Sequence, residues 1–399
     1  MGKYKLTGAL KKQMKYSQAY IVDAIRTPIG RGKEGCAFSE LHPVDLGGIP
    51  VKELLKRNNL KPTDIEDLIY GCASPIAEQG LNIARLIAIT SLDVTVPGVQ
   101  LNRMCGSGQQ AVHFGIQAIL SGAHDLIIAG GVECMGKVPI GSDGLPLPGK
   151  NNMTLPESFI KNFKANPMGI SGELMAEKWK LSRRDLDEFS YNSHQKAAKA
   201  TQEGYFKKEI VPVQTSKGIV ERDEGIRPDT SIEKMGTLQP AFKAGGVITA
   251  ANASQVSDGA SALLLASEEA IKKYNLKPRA KFIDFSVVGT EVELQLTGPV
   301  YAIPKVLKRA GLEIKDIDLF EINEAFASVV IAAQRELKLD PNKINVNGGA
   351  IALGHPLGAS GARLLTTLLY ELERRNLKRG ISSLCIGFGQ GIAAVIERV

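Results

Sequence analysis

Four side chains in this 399-residue sequence have a type and setting suited to covalent chemistry. Cys105 follows Leu101-Asn-Arg-Met and precedes Gly106-Ser-Gly108, at what reads as a strand-to-helix junction. A thiol there meets free N–H groups and the positive end of a helix dipole, which favour the thiolate. The flanking glycines let a substrate approach closely. The bland alternative is a small buried hydrophobe. His355 stands between Gly354 and Pro356 in the glycine-dense run Asn347 to Arg363, a setting for an imidazole beside a ligand or for a turn cap. Cys385 ends a long apolar run and leads into Gly387-Phe-Gly-Gln-Gly391. Asn323 opens Asn323-Glu-Ala-Phe326 straight after an apolar run, where an asparagine by default caps a helix. A thiol with a nearby base is the arrangement for acyl transfer through a covalent intermediate. A second cysteine adds a proton-transfer partner that hydrolysis would not need.

These residues must be positioned by elements that occur twice. Shifted by 252 positions, Val51 to Ile65 lies over Ile303 to Ile317. Leu55, Lys56, Arg57, Leu60, Asp64 and Ile65 match Leu307, Lys308, Arg309, Leu312, Asp316 and Ile317. Each copy reads as an amphipathic helix, a turn and a strand, at Leu68–Gly71 and Leu319–Ile322. A second matched pair follows. A helix opening at Gly106 leads to a strand from Asp125 to Gly131; a helix from Ser360 to about Arg374 leads to a strand from Ile381 to Gly387. Two similar β/α halves are expected, each a mixed sheet with covering helices, related by an approximate two-fold. All four candidates fall at strand ends or glycine turns, where crevices form in such sheets. The segment 137–246 has a different texture, rich in Lys, Asn, Pro and Gly, with a helix expected over Arg183–Glu203 after the cap Ser182. It reads as a long insertion covering a site.

Composition narrows the function classes. The net charge of +7 is concentrated in residues 1–18, which hold five lysines and no acidic residue. The body is near neutral and carries no nucleic-acid motif, so no nucleic-acid partner is expected. The five cysteines are scattered, without a CxxC pair or zinc-ligand spacing to the five histidines, which argues for a reducing compartment and no metal site. No apolar run is long enough to span a membrane. The N-terminal arm has no apolar signal-peptide core, so a cytoplasmic location is expected. The run Gly387 to Gly391 resembles part of a dinucleotide fingerprint, but the strand-like Ile392-Ala-Ala-Val-Ile-Glu after it excludes that context.

The stretches Asn102-Arg-Met-Cys-Gly-Ser-Gly-Gln-Gln-Ala111, Asn323-Glu-Ala-Phe-Ala327, Gly348-Gly-Ala-Ile-Ala-Leu-Gly-His-Pro-Leu-Gly358 and Cys385-Ile-Gly-Phe-Gly-Gln-Gly391 resemble the four motifs of the thiolase family, in order, over essentially 19–399. Glu78 to Arg85, Gly131 to Pro139 and Gly389 to Val399 resemble the degradative 3-ketoacyl-CoA thiolases of fatty-acid β-oxidation. The resemblance implies an α/β, thiolase-like fold: two duplicated βαβαβαββ halves in a layered α-β-α-β-α arrangement plus an inserted loop domain. The expected division is a basic arm (1–18), an N-terminal half (19–136 and 247–278), a loop domain over CoA (137–246) and a C-terminal half (279–399).

By the same resemblance Cys105 would carry the acyl group and His355 would take its proton. Cys385 would protonate the departing acetyl-CoA enolate, or remove the α-proton in the reverse condensation. One oxyanion would be held by His355 and a water fixed by Asn323, the other by the backbone N–H groups of Cys105 and Gly387. Such donors are worth roughly 3 to 4 kcal/mol each. Ser254, Arg227 and Met168 would contact CoA, which is a substrate; no further cofactor and no metal is implied. The implied reaction is CoA-dependent cleavage of 3-ketoacyl-CoA, with a biosynthetic acetoacetyl-CoA thiolase as the alternative. A non-catalytic binding subunit and a redox-sensing dithiol of Cys105 and Cys385 are more distant readings. The related ketosynthases lack a second catalytic cysteine. A homodimer or homotetramer is implied, as is association with a β-oxidation hydratase/dehydrogenase subunit. Two positions depart from the family pattern. Met168-Gly-Ile-Ser-Gly-Glu173 has Ser-Gly where Thr-Ala is usual, with no histidine before Met168, and Gln295 stands near where acetoacetyl-specific members place methionine.

Overall fold

Strands with every residue buried form the centre of the molecule, because helices cover both faces of their sheets. The computed structural model describes residues 18–146 and 155–399; the expectation for the Lys-rich arm falls almost wholly outside them, and so do residues 147–154 of the insertion. The first half contributes β1 (Tyr20–Arg26), β2 (Asp67–Gly71), β3 (Gly98–Leu101), β4 (Leu126–Cys134) and β5 (Ser257–Ala266). The second contributes β6 (Ala280–Gly289), β7 (Leu319–Ile322), β8 (Arg379–Ile386) and β9 (Gln390–Arg398). β2 runs parallel to β3 and β4, and β4 pairs antiparallel with β5. The second half repeats the pattern: β7 is parallel to β8, and β8 antiparallel to β9. The two sheets are joined where Tyr20 and Ile21 of β1 pair with Lys281 and Ala280 of β6, giving the order β7-β8-β9-β6-β1-β5-β4-β2-β3.

Helices α1 (Pro43–Asn58) and α2 (Ile83–Ser91) cover the outer face of the first sheet; α6 (Gly298–Ala310) and α7 (Ala327–Leu337) cover that of the second. Between the sheets lie α3 (Ser107–Ser121) and α8 (Leu357–Arg374), one from each half, in a single apolar cluster with strand residues of both sheets. The result is the five-layer α-β-α-β-α arrangement. A helix between two sheets is apolar nearly all round, and α8 is buried almost continuously from Leu357 to Leu372.

Glycines let the two central helices start against each other. A Cβ on Gly361 would lie 2.3 Å from the Gln109 nitrogen, and one on Gly108 would lie 2.6 Å from the Gly358 oxygen. Gly131 of β4 approaches as closely, 2.0 Å from a built Cβ to the Gly358 oxygen. These approaches seat the loop that precedes α8 beside the turn that precedes α3.

The insertion contains α4 (Met168–Lys178), α5 (Arg183–Gln202), two short helices (Glu157–Asn162 and Ile232–Gly236) and a small hairpin of Val213–Thr215 with Gly218–Val220. Helix α5 starts where the sequence indicates, with a capping box: Ser182 Oγ accepts from Asp185 N at 3.1 Å, and Asp185 accepts from Ser182 N at 2.8 Å. The other elements of the insertion were not legible: the short helices and the hairpin are too brief for a periodic pattern, and α4 buries Gly169, Ser171, Gly172 and Glu173 rather than an apolar stripe.

Arg26, at the end of β1, fastens the insertion to the first half. Fully buried, it donates to Glu209 at 2.7 Å and to Asp223 at 2.7 and 3.0 Å. Asp223 also accepts from Ile29 N at 2.8 Å. Arg26→Ala would leave two carboxylates buried without their cation. The expected loss is about 3–5 kcal/mol of unfolding free energy, read from urea denaturation; a loss below ~1 kcal/mol would mean water replaces the clamp.

Candidate active site

The turn carrying Cys105 is held by side chains rather than by regular structure. Met104 takes a positive φ of 46° in the short 3-10 turn Met104–Gly106. Its N–H donates to Asn102 Oδ1 (2.7 Å), and Asn102 Nδ2 donates to the Ala73 carbonyl (2.9 Å). Ser107 Oγ accepts from Arg103 N at 2.9 Å and donates to the Met104 carbonyl at 2.6 Å. Cys105 is buried among Ala73, Met135 and Leu357. Burial pushes its thiol up to about 11, the nearby Glu133 adds to the rise, and the N–H groups of Gly387 and of Cys105 itself pull the other way. The expectation of a thiolate favoured by the helix terminus is therefore corrected: burial outweighs the dipole, and the resting group is a thiol.

His355, two residues before Leu357, is buried in the opposing loop. Its Nδ1 lies 2.6 Å from Ser360 Oγ, whose own hydrogen goes to the Pro356 carbonyl at 2.8 Å. Ser360 must then accept from Nδ1–H, and this network assigns the free lone pair to Nε2. Nε2 lies 3.2 Å from Asn323 Nδ2. Burial, with the charge of Arg363, pushes the imidazole down to about 3, so it is neutral, with its lone pair at Nε2. The His355 N–H donates to Ser257 Oγ at 3.1 Å, tying the loop to β5.

Asn323 follows β7 directly, and its N–H donates to the Ser383 carbonyl at 2.9 Å. It does not cap a helix. The next residues stay extended because they are pinned to the chain at 252–254: Ser254 N donates to the Ala325 carbonyl, and Ala327 N to the Asn252 carbonyl, both at 2.9 Å. Helix α7 therefore begins at Ala327, leaving the Asn323 side chain free for His355. Glu324 accepts from Ser193 Oγ (2.7 Å), Asn345 Nδ2 (2.9 Å) and Ile351 N (3.1 Å), which fixes the same loop from behind.

Cys385 lies near the end of β8, packed in a cluster with Leu296, Phe326 and Ile351. Burial raises its thiol well above the ordinary range, and the nearby Cys105 raises it further. The structure thus brings Cys105, Cys385 and the Gly387 N–H together, and joins His355 to Asn323 in the loop whose Leu357 packs on Cys105.

Glu133 was missed by sequence reasoning. It is a buried carboxylate in β4, and it accepts from Ala73 N (2.8 Å), Ser74 N (3.1 Å), Gln79 Nε2 (2.9 Å) and Gly358 N (2.8 Å). It links the loop after β2 to the start of α8, on either side of Cys105. The available signal was a lone acid in an otherwise apolar strand.

The three remaining candidates lie on the insertion side. Ser254 is half-buried next to the Ala325–Phe326 strand segment. Met168, the first residue of α4, packs on the cluster that includes Cys385 and Phe326. Arg227 is exposed, its N–H donating to His194 Nδ1 at 3.2 Å, and it lines a cavity of about 280 Å³ with Met235, Leu238, Ala250 and Ile351. No hydrogen bond joins Arg227 to the cysteines. Among the described residues no group of three or more His, Cys, Asp or Glu side chains could hold a metal ion.

Known proteins match the chain along nearly its whole length. The family model described as "Thiolase, N-terminal domain" matches residues 19–269, and "Thiolase, C-terminal domain" matches 276–398. A 3-ketoacyl-CoA thiolase of Bacillus subtilis is 46% identical over 395 residues, covering 95% of this chain and 99% of that protein. A steroid 3-ketoacyl-CoA thiolase of Mycobacterium tuberculosis is 46% identical over 390 residues, covering 96% of this chain and 95% of that one. The crystal structure of human mitochondrial 3-ketoacyl-CoA thiolase in complex with CoA superposes with a TM-score of 0.88 at 36% identity, covering 96% of this chain and 98% of that chain. Duplicated halves, paired central helices and matches along nearly the whole length lead to one conclusion: the chain belongs to the thiolase family.

Proposed function

We propose that this acyltransferase cleaves 3-ketoacyl-CoA with CoA in two half-reactions joined by an acyl group on Cys105. His355 Nε2 takes the Cys105 proton as the sulfur attacks the C3 carbonyl. The oxyanion sits against the Cys105 and Gly387 N–H groups. The C2–C3 bond then breaks, its electron pair stays on C2, and the Cys385 thiol protonates C2 to release acetyl-CoA. The protonated His355, oriented beside Asn323, donates to the thioester oxygen of the departing enolate. In the second half-reaction the Cys385 thiolate takes the proton of the incoming CoA thiol. CoA sulfur attacks the acyl carbon, and Cys105 leaves with the proton that His355 held. Each proton is returned, and the sequence runs equally well backwards as a condensation.

The observation that carries this reading is the meeting of the Cys105 turn with the His355 loop. Cys105 packs against Leu357, two residues from His355, its sulfur is met by the Gly387 N–H beside Cys385, and the imidazole has Nδ1 occupied by Ser360 and Nε2 beside the Asn323 amide. CoA-contact roles for Ser254, Met168 and Arg227 are supported by the cavity beside Arg227 and by the packing of Met168 near Cys385. Self-association into a homodimer or homotetramer is supported by the edge strand β3, which exposes Val99, and by exposed Leu81 and Val94 on either side of α2. No helix among the described residues is long and apolar enough to cross a membrane, and a cytoplasmic location is our reading.

The test is CoA-dependent release of acetyl-CoA from acetoacetyl-CoA and from 3-oxodecanoyl-CoA, with Cys105→Ala as control. Turnover lost by several orders of magnitude in the variant is expected. Turnover of acetoacetyl-CoA alone would favour the biosynthetic alternative, and equal activity in the variant would overturn the mechanism.

A further inference from the structure

Glu133 is tied to both reacting loops, and the steps above give it no role. Donors occupy both of its oxygens. Oε1 accepts from Ser74 N at 3.1 Å, Gln79 Nε2 at 2.9 Å and Cys72 Sγ at 3.7 Å. Oε2 accepts from Ala73 N and Gly358 N, both at 2.8 Å. A carboxylic acid would have to aim its hydrogen at one of these donors. The contacts therefore hold Glu133 as an anion, although burial pulls its pKa upward.

Two chains of contacts leave this anion. Toward Cys105, the Ala73 carbonyl accepts from Asn102 Nδ2 at 2.9 Å, and Asn102 Oδ1 fixes Met104 N at 2.7 Å, next to Cys105. Toward His355, Gly358 is the second residue of α8, two before Ser360, whose Oγ holds His355 Nδ1 at 2.6 Å. The residue before α8, Pro356, gives no side-chain cap, and Glu133 supplies the acceptor and the negative charge that a helix start favours. Backbone packing does not hold this spacing by itself. A Cβ on Gly358 would lie 2.4 Å from the Val132 carbonyl oxygen, which limits how closely α8 approaches but does not keep it there.

We propose that Glu133 is a positioning residue for acylation: gripping the Ala73–Ser74 loop and the start of α8 together, it holds the Cys105 turn within reach of His355 Nε2. The proposal rests on the thiolase reading of the site and adds a residue to its machinery. Its physical basis is the steep cost of displacing a nucleophile from its base, paid even when the protein stays folded.

The test follows acetylation of Cys105 by acetyl-CoA from pH 5 to 8 in the wild type, Glu133→Gln and Glu133→Asp. Glutamine keeps the size but has one acceptor oxygen and turns an amide N–H against the donors. Aspartate keeps the charge but loses the reach. While His355 takes the proton, the rate stays flat. With His355 out of reach only pre-formed thiolate reacts, and the rate rises about tenfold per pH unit. Both variants are expected to acquire that slope and to lose roughly 10²-fold or more at pH 7. Adding His355→Ala to either should then slow it by less than about threefold, because the base is already lost. A merely destabilised protein would lose the same fraction at every pH. The thiols of Cys72, Cys105 and Cys134 around Glu133 are all raised by burial and keep their protons through this range. Asp258, raised to about 6, and Lys137 act on Cys134 in wild type and variants alike. Flat profiles in both folded variants would overturn the proposal. A slope in Glu133→Gln alone would assign the effect to charge and overturn it as well. If thermal unfolding shows that neither variant folds, Asn102→Ala decides: this exposed residue carries only the Cys105 arm, the slope is expected there, and a flat profile would overturn the proposal. No acetylation of Cys105 in the wild type would overturn the thiolase mechanism itself, and the role of Glu133 with it.

Discussion

Alanine at His355 is expected to slow acyl transfer from acetyl-CoA to Cys105 by roughly 10²–10⁴-fold, the usual worth of a positioned general base. The effect follows from the protonation pattern. With the Cys105 thiol pushed up to about 11, almost none of it is thiolate at neutral pH, so a base must remove the proton during attack. His355 keeps its lone pair available across a wide range, because burial and Arg363 push its own pKa down to about 3. The wild-type acylation rate should therefore be nearly flat between pH 5 and 8. In His355→Ala only pre-formed thiolate reacts. Its fraction grows tenfold per pH unit below the thiol pKa, so the residual rate should rise by about a decade per unit. A stopped-flow pH series on both proteins distinguishes these behaviours. An acid limb near pH 6.5 in the wild type would mean that Cys105 and His355 form a resting ion pair, and a flat profile in the variant would mean that the Cys105 thiol is ionised without the imidazole.

Serine at Cys385 should separate the two kinds of chemistry. Acyl transfer from an ordinary acyl-CoA to Cys105 needs His355 and the Cys105 and Gly387 N–H groups, none of which is altered; the Cys385 proton goes only to the departing CoA sulfur, a thiolate stable enough to leave without an acid. Forming or protonating the enolate needs an acid matched to an α-carbon, and a hydroxyl is a far weaker acid than a thiol. Thiolysis and exchange of the acetyl-CoA methyl protons with deuterium should fall by roughly 10²–10⁴-fold. The acylation half-reaction should keep a rate within a few-fold of wild type. Equal loss of both would make Cys385 a packing residue of its cluster with Leu296 and Phe326.

Much of this was legible in the sequence because the fold is repetitive and its strands are buried. The matched segments at 51–65 and 303–317 each became a helix, a 3-10 turn and a strand, with β2 and β7 at the indicated positions. Glycine-flanked Cys105 and His355 stood out because both loops must let two helix starts approach. What failed was context. Asn323 looks like a helix cap until pairing with residues 252–254 holds Phe326 extended and delays α7. The Cys105 thiolate looked favoured because a sequence displays the helix terminus but not the burial that outweighs it. Glu133 was hidden because its four N–H donors come from residues 73, 74, 79 and 358, far apart in the chain.

The central claim, an acyl group carried on Cys105, is tested most directly by mass spectrometry. The protein is mixed with 3-oxodecanoyl-CoA in the absence of CoA and digested. The account predicts an octanoyl group on the peptide containing Cys105, removed by added CoA and absent from Cys105→Ala. An octanoyl group on another residue, or rapid thiolysis by Cys105→Ala, would contradict it.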